Sequence, residues 1–124
     1  MRLTVLLVDD EQDIIEVIQD RLEAYGFTVA TARTGLQALE RLSVEKFDGV
    51  FLDVKMPEMG GIEALEEIRK RDKRIPVIII TSSSTREAAI AATGKGANEF
   101  LLKPFEWDEL KTKIQRVFDI RLEG

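Results

Sequence analysis

The chain has 124 residues, 44% hydrophobic and 33% charged, with 8 glycines and 3 prolines, the make-up of one ordinary globular domain. That apolar content excludes a disordered chain, and a net charge of −5 argues against direct nucleic-acid binding by this segment. With no cysteine and no histidine, disulfides, thiolate or imidazole metal ligands and a Ser–His relay are all excluded. Any chemistry has to run on carboxylates, hydroxyls, lysine and a hard cation.

Leu3–Val8 is a near-continuous run of β-branched and leucine residues, the mark of a strand buried on both faces. Ile14, Ile15, Ile18 and Leu22 follow at helical spacing, and Gly26 stands where a helix C-cap belongs. Phe27–Thr31 reads as a more mixed strand at a sheet edge, and Leu36, Leu39 and Leu42 mark a second helix. Gly49–Leu52 is a third buried strand, after which Met56-Pro57 and Gly60-Gly61 force an irregular loop. Ile62, Leu65 and Ile68 carry a third helix, with the basic stretch Arg69–Arg71 at the favourable end of its dipole. Val77–Ile80 is a fourth strand, and Ala88–Ala92 a small-residue helix ending near Gly94 and Gly96. Phe100–Leu102 is the fifth strand, and Trp107, Leu110, Ile114 and Val117 give the last helix.

Strand followed by helix, five times over, means right-handed crossovers and a parallel sheet with helices on both faces. The expected fold is α/β, a flavodoxin-like doubly wound (βα)5 domain with strand order 2-1-3-4-5. Residues 1–124 form one domain, with 118–124 either the start of a linker or an added tail. The apolar runs are too short to span a bilayer and the N-terminus lacks a signal-peptide pattern, so no membrane association and a cytoplasmic protein are expected.

Four predicted strands are each followed directly by polar residues: Asp9-Asp10, Asp53, Thr81 and Lys103. Ligands of doubly wound sheets bind beyond the carboxyl ends of the strands, at the switch in strand order. There the first and third strands are neighbours about 4.8 Å apart, so Asp9, Asp10 and Asp53 crowd one end of the sheet. Carboxylates that close resist joint ionisation unless a cation sits among them, and oxygen-only ligation suits Mg2+. Thr81 and Lys103, from the other flank, offer a hydroxyl and an ammonium to the oxygens of a phosphoryl group. Asp53 is the central carboxylate and the candidate nucleophile for an aspartyl phosphate. Each residue also has a plain role: the Asp pair and the run Thr81–Ser84 as helix N-caps, Asp53 and Lys103 as solvated loop residues. Four strand ends in complementary roles outweigh those separate readings.

The motifs Leu6-Leu7-Val8-Asp9-Asp10-Glu11, Leu52-Asp53-Val54-Lys55-Met56-Pro57, Ile80-Thr81-Ser82 and Phe100-Leu101-Leu102-Lys103-Pro104-Phe105 resemble the response-regulator receiver family of two-component signalling. The resemblance covers essentially the whole chain. It implies phosphoryl transfer from a histidine kinase or phosphotransfer protein to Asp53, giving a 4-aspartylphosphate. It also implies Mg2+ held directly by Asp10 and Asp53, through water by Asp9, and by the backbone carbonyl of Lys55. Thr81 would contact the phosphoryl group as a switch, Lys103 would ion-pair with it, and Phe100 would be the switch aromatic. The Lys103-Pro104 bond is expected to be cis. The face of the fourth helix, fifth strand and fifth helix would then bind an output domain, a partner protein or a second copy. Such a protein is a phosphoacceptor switch, catalysing only its own phosphotransfer and autodephosphorylation. Gly60-Gly61 departs from the family's common Asp-Gly, and Phe100 lacks the hydroxyl of a tyrosine. Three alternatives share parts of this pattern: a haloacid-dehalogenase-type Mg2+ phosphohydrolase, a flavodoxin-like electron carrier and a receiver-like module that is never phosphorylated.

Overall fold

Five parallel strands and five helices alternate along the chain in the computed structural model, which describes residues 2–54, 60–82 and 86–122, with the backbone course alone at 86–89. The elements are β1 Thr4–Val8, α1 Gln12–Ala24, β2 Thr28–Ala32, α2 Gly35–Val44 and β3 Gly49–Leu52. They continue as α3 Gly61–Arg71, β4 Val77–Thr81, α4 Arg86–Gly94, β5 Glu99–Leu102 and α5 Trp107–Phe118. The sheet runs β2-β1-β3-β4-β5, as the alternation predicts.

Side-chain alternation along the strands divides the core in two. Leu6, Val8, Leu52 and Ile79 belong to a cluster with Ala38 and Leu39 of α2 and with Leu65 and Ile68 of α3. Leu7, Phe51, Ile78 and Leu101 belong to a second cluster with Ile15 and Ile18 of α1 and with Leu110 and Ile114 of α5. Strands buried on both sides are why the sequence shows continuous apolar runs rather than alternation.

Local chemistry sets the element ends. Gly26, at φ 104°, follows α1 in the left-handed region that its lack of Cβ permits. Its N–H donates to Glu23 O, and the next N–H, of Phe27, to Leu22 O. Thr34 caps α2, its side chain accepting from Gln37 N–H at 3.1 Å. Leu36, expected on the apolar stripe, is instead 45% exposed. It stands in the first turn, to the side of the buried stripe formed by Gly35, Ala38 and Leu39. Two of the basic residues at the end of α3 do more than complement its dipole. Arg69 donates to Gly96 O (3.0 and 2.9 Å) and to Asn98 Oδ1 (3.0 Å), and Arg71 to Leu39 O (3.1 Å), so each ties α3 to another part of its layer. Beyond α5, Leu122 is buried and its N–H donates to Gln115 Oε1 at 2.8 Å.

Gly61 opens α3 against the chain leaving β3. Its N–H donates to Val54 O at 2.9 Å, and a Cβ there would collide with the Asp53 carbonyl oxygen and Val54 Cα. Backbone cannot step aside as a flexible side chain can, so Gly61→Ala is expected to destabilise the protein by about 2 kcal/mol. Urea denaturation checks this, and an unchanged midpoint would contradict the packing described.

Candidate functional site

The hydrogen-bond ladder runs one step past the strands. Asp9 N–H donates to Ala32 O (3.1 Å), Asp53 N–H to Val8 O (3.0 Å) and Lys103 N–H to Thr81 O (2.8 Å). These residues therefore keep the alternation of Leu7, Phe51 and Leu101, on the layer side of α1 and α5. The register pairs Val8 with Leu52, which sets Asp9 beside Asp53. Both are buried, at 2% and 3% exposure. Lys103 reaches in from the other flank, with Nζ 2.6 Å from Asp9 Oδ2 and 3.4 Å from Asp53 Oδ2.

Burial alone would lower the Lys103 pKa, but its hydrogen bond to Asp9 and the charges of Asp53 and Asp9 outweigh this and hold it above the ordinary 10.5. The ammonium is thus fixed in its charged form at neutral pH. Asp10, half-buried, completes the cluster: one carboxylate oxygen from each of Asp9, Asp10 and Asp53 lies within 4.8 Å of the others. Three carboxylates against one ammonium leave an excess of negative charge on hard oxygen donors, which fits a Mg2+ ion. Of the expected ligands, Lys55 lies outside the described residues, as do Met56-Pro57 and Ser83 and Ser84 of the hydroxyl run.

The plain reading of the Asp pair as a helix cap does not hold. The α1 cap is Glu11, which makes no side-chain capping bond. Asp9 Oδ1 accepts the Glu11 N–H at 3.0 Å while Oδ2 meets Lys103, so a single carboxylate shapes the loop and binds the ammonium. Thr81 also differs from expectation, being the last residue of β4 rather than the first after it, paired with Leu102 and fully buried. It keeps the alternation of Val77 and Ile79, which turns it to the α2–α3–α4 layer, opposite to Asp53 and Lys103. Phe100 pairs with Ile79 and packs against that same layer, so Thr81 and Phe100 lie on one side of neighbouring strands. The Lys103-Pro104 bond is cis, as expected.

One site neighbour was invisible in the motifs. Arg33 donates from Nη2 to the Asp10 carbonyl oxygen at 2.8 Å and from Nη1 to Gln12 Oε1 at 3.0 Å. Nothing in its sequence neighbourhood signals this, because the contact exists only once β2 lies beside β1.

A doubly wound sheet with a lysine-bound acidic pocket beyond its strand ends is an α/β module whose site offers hard oxygen donors and a fixed ammonium. Residues 5–115 match the response regulator receiver domain, and the chain belongs to that family, the phosphoacceptor switches of two-component signalling. The transcriptional regulatory protein ZraR of Klebsiella oxytoca is 40% identical over 113 residues, covering 91% of this chain and 26% of that protein. This chain therefore spans about a quarter of the length of such curated relatives. The CheY-like receiver domain protein from Methanospirillum hungatei superposes with a TM-score of 0.91 at 28% identity, covering 96% of this chain and 95% of that one. Response regulator protein TrrA from Thermotoga maritima, solved in complex with Mg(2+)-BeF, superposes with a TM-score of 0.85 at 34% identity, covering 93% and 98%. With the family established, the phosphohydrolase and electron-carrier alternatives fall away. Among the described residues, no helix is long and apolar enough to cross a membrane.

At the β5 edge, Glu99 ties the strand to α5. Its carboxylate meets Lys113 Nζ at 3.0 Å and Arg116 Nη1 at 3.3 Å, while Lys113 also donates to Phe100 O at 2.8 Å. Burial would raise the Glu99 pKa, but the hydrogen bond and charge of Lys113, with Phe100 N–H and Arg116, bring it below the ordinary 4.5. A carboxyl with a depressed folded value stabilises the fold above its unfolded pKa and loses that contribution as pH falls through the folded one. Glu99→Gln is therefore expected to lower the melting temperature at pH 7, with the gap to the parent closing below pH 4.5. A gap that stays constant with pH, followed by thermal melts, would contradict this.

Proposed function

We propose that this chain is a phosphorylation-operated switch in which Asp53 accepts a phosphoryl group from a histidine kinase or phosphotransfer protein. The observation that carries the reading is the Lys103 ammonium held at 2.6 and 3.4 Å from two buried carboxylates beside a third. Asp10 and Asp53 would ligate Mg2+ directly, Asp9 through water, and the Lys55 carbonyl would complete the protein's share. When bound, that ion supplies positive charge against the carboxylates and the phosphoryl oxygens. Asp53 attacks phosphorus, and as the new O–P bond forms the bond from phosphorus to the donor nitrogen breaks and the imidazole leaves. Lys103 follows the charge, exchanging part of its contact with the carboxylates for a phosphoryl oxygen. A protein donor needs a surface beside this pocket. The apolar groove of Ile14, Val17, Phe105 and Trp107 opens next to Lys103 and supplies one.

Output is read at the β5 edge of the sheet, beginning on the side of Thr81 and Phe100. A phosphoryl group on Asp53 draws the Thr81 hydroxyl, and space vacated beside β5 is filled by Phe100 turning inward. The α4–β5–α5 face changes with it and binds an output domain, a partner protein or a second copy. Transcriptional regulation, the role in the name of ZraR, would belong to a partner or a following domain, and the location would be cytoplasmic.

Acetyl phosphate with Mg2+, followed by borohydride trapping and mass spectrometry, is expected to label Asp53 alone, and Asp53→Asn to abolish the label. A label on Asp9, Thr81 or Ser82 would overturn the assignment. Thr81→Ala is expected to accept phosphate at Asp53 and yet lose most of the beryllofluoride-induced NMR shifts at 99–102 and in α4. Equally large shifts in parent and variant would show that the coupling bypasses Thr81.

A further inference from the structure

Lys103 enters the site from the β5 edge of the sheet, and a second cation holds the acidic loop from the β2 edge. Arg33 stands one residue beyond β2, whose last carbonyl, of Ala32, accepts the Asp9 N–H at 3.1 Å. Its own N–H donates to Gln37 Oε1 at 2.8 Å, and the next residue, Thr34, caps α2. With its backbone fixed in this way, the guanidinium forks to Asp10 O at 2.8 Å and Gln12 Oε1 at 3.0 Å. Gln12 is the first residue of α1 and is engaged along the helix through Nε2 to Glu16 Oε1 at 3.2 Å. The fork therefore spans from the Asp10 peptide to the start of α1. It adds a second bracket to a loop that Asp9 Oδ1 already closes on the Glu11 N–H. Lys103 and Arg33 act differently. Lys103 binds carboxylate oxygen, whereas Arg33 grips the Asp10 carbonyl oxygen and so sets the orientation of that peptide.

We propose that Arg33 is a positioning residue for the metal site, holding the Asp10 carboxylate in its ligating arrangement before the ion arrives. The proposal rests on the reading of Asp10 and Asp53 as Mg2+ ligands. Mg2+ accepts little departure from octahedral geometry, so a ligand on a loop gains affinity when the loop is fixed in advance. Two effects of Arg33 have opposite signs. As a nearby positive charge it repels a dication, an effect that salt screens. As a clamp on Asp10 it favours binding, and salt does not remove that. The sign of the change on removing Arg33 decides between them.

Mg2+ titration of the full chain is followed by NMR at the amides of Asp9, Asp10, Glu11 and Asp53, for parent, Arg33→Ala, Arg33→Lys and Asp53→Asn. Arg33→Ala is expected to weaken Mg2+ binding about fivefold, the size of one typical net hydrogen bond, and the ratio should persist at high salt. Arg33→Lys keeps the charge without the planar fork and is expected to fall between parent and Ala variant. In the metal-free protein, the Glu11 amide is expected to exchange its hydrogen faster in Arg33→Ala, while amides of β3 and β4 keep their rates, which reports the loop independently of the ion. Equal or tighter Mg2+ binding by Arg33→Ala, or unchanged Glu11 exchange, overturns the positioning role and leaves the metal reading intact. Absence of any Mg2+ response at Asp10 and Asp53 in the parent, or the same response in Asp53→Asn, overturns the metal reading and the Arg33 role with it.

Discussion

The ammonium of Lys103 lies between Asp9 and Asp53 at an end of the sheet where both carboxylates are withdrawn from water. Removing one member of such a buried, paired set typically costs about 3–5 kcal/mol, because the charge left behind has no partner. The arrangement depends on strand register. Val8 opposite Leu52 makes Asp9 and Asp53 neighbours, and a slip of one residue would turn one of them to the other layer. The packed runs of β1 and β3 hold that register, so the apolar core and the polar site are parts of one constraint. Since one ammonium does not balance three carboxylates, the cluster keeps an excess of hard, negatively charged oxygen donors, a set that could hold a hard cation.

Much of this is legible in the residues. β3 has the bounds its apolar run suggests, and the strand order follows from alternation and the handedness of crossovers. Asp9, Asp10 and Asp53 converge because sequence reasoning could place them at strand ends and topology then brings those ends together. What the residues do not reveal depends on finer geometry. Thr81 looks like a loop residue because its hydroxyl is polar, yet the ladder to β5 takes it in. Leu36 sits at an apolar spacing and still faces outward, because Ala38 and Leu39 already fill the space beneath α2. The tasks of Arg33, Arg69 and Arg71 leave no trace in local pattern at all. A guanidinium on a long stem finds carbonyls that only the finished fold sets within reach.

Arginines with backbone acceptors recur around the sheet. Arg69 meets Gly96 O and Asn98 Oδ1, and that same Asn98 oxygen accepts the Val77 N–H at 2.8 Å, so the start of β4, the turn before β5 and the end of α3 share one junction. Burial lowers the Arg69 pKa, against the pull of Asp72, but a guanidinium remains charged throughout the range in which the protein folds. Such links fasten connections that carry little apolar surface of their own. The strands provide the rigid frame, and a few cations set how its loops are hung.

The two hydrophobic clusters have no side chain in common among the described residues, and the sheet backbone is all that separates them. Volume changes in one layer are therefore absorbed within that layer, and substitutions on opposite sides should combine additively in stability. Over evolutionary drift, the α1–α5 layer can be repacked while the α2–α3–α4 layer keeps its shape, and the reverse. The strand ends are the exception. Asp53 and Lys103 turn to one side and Thr81 to the other, so this is the place where the histories of both halves must stay compatible.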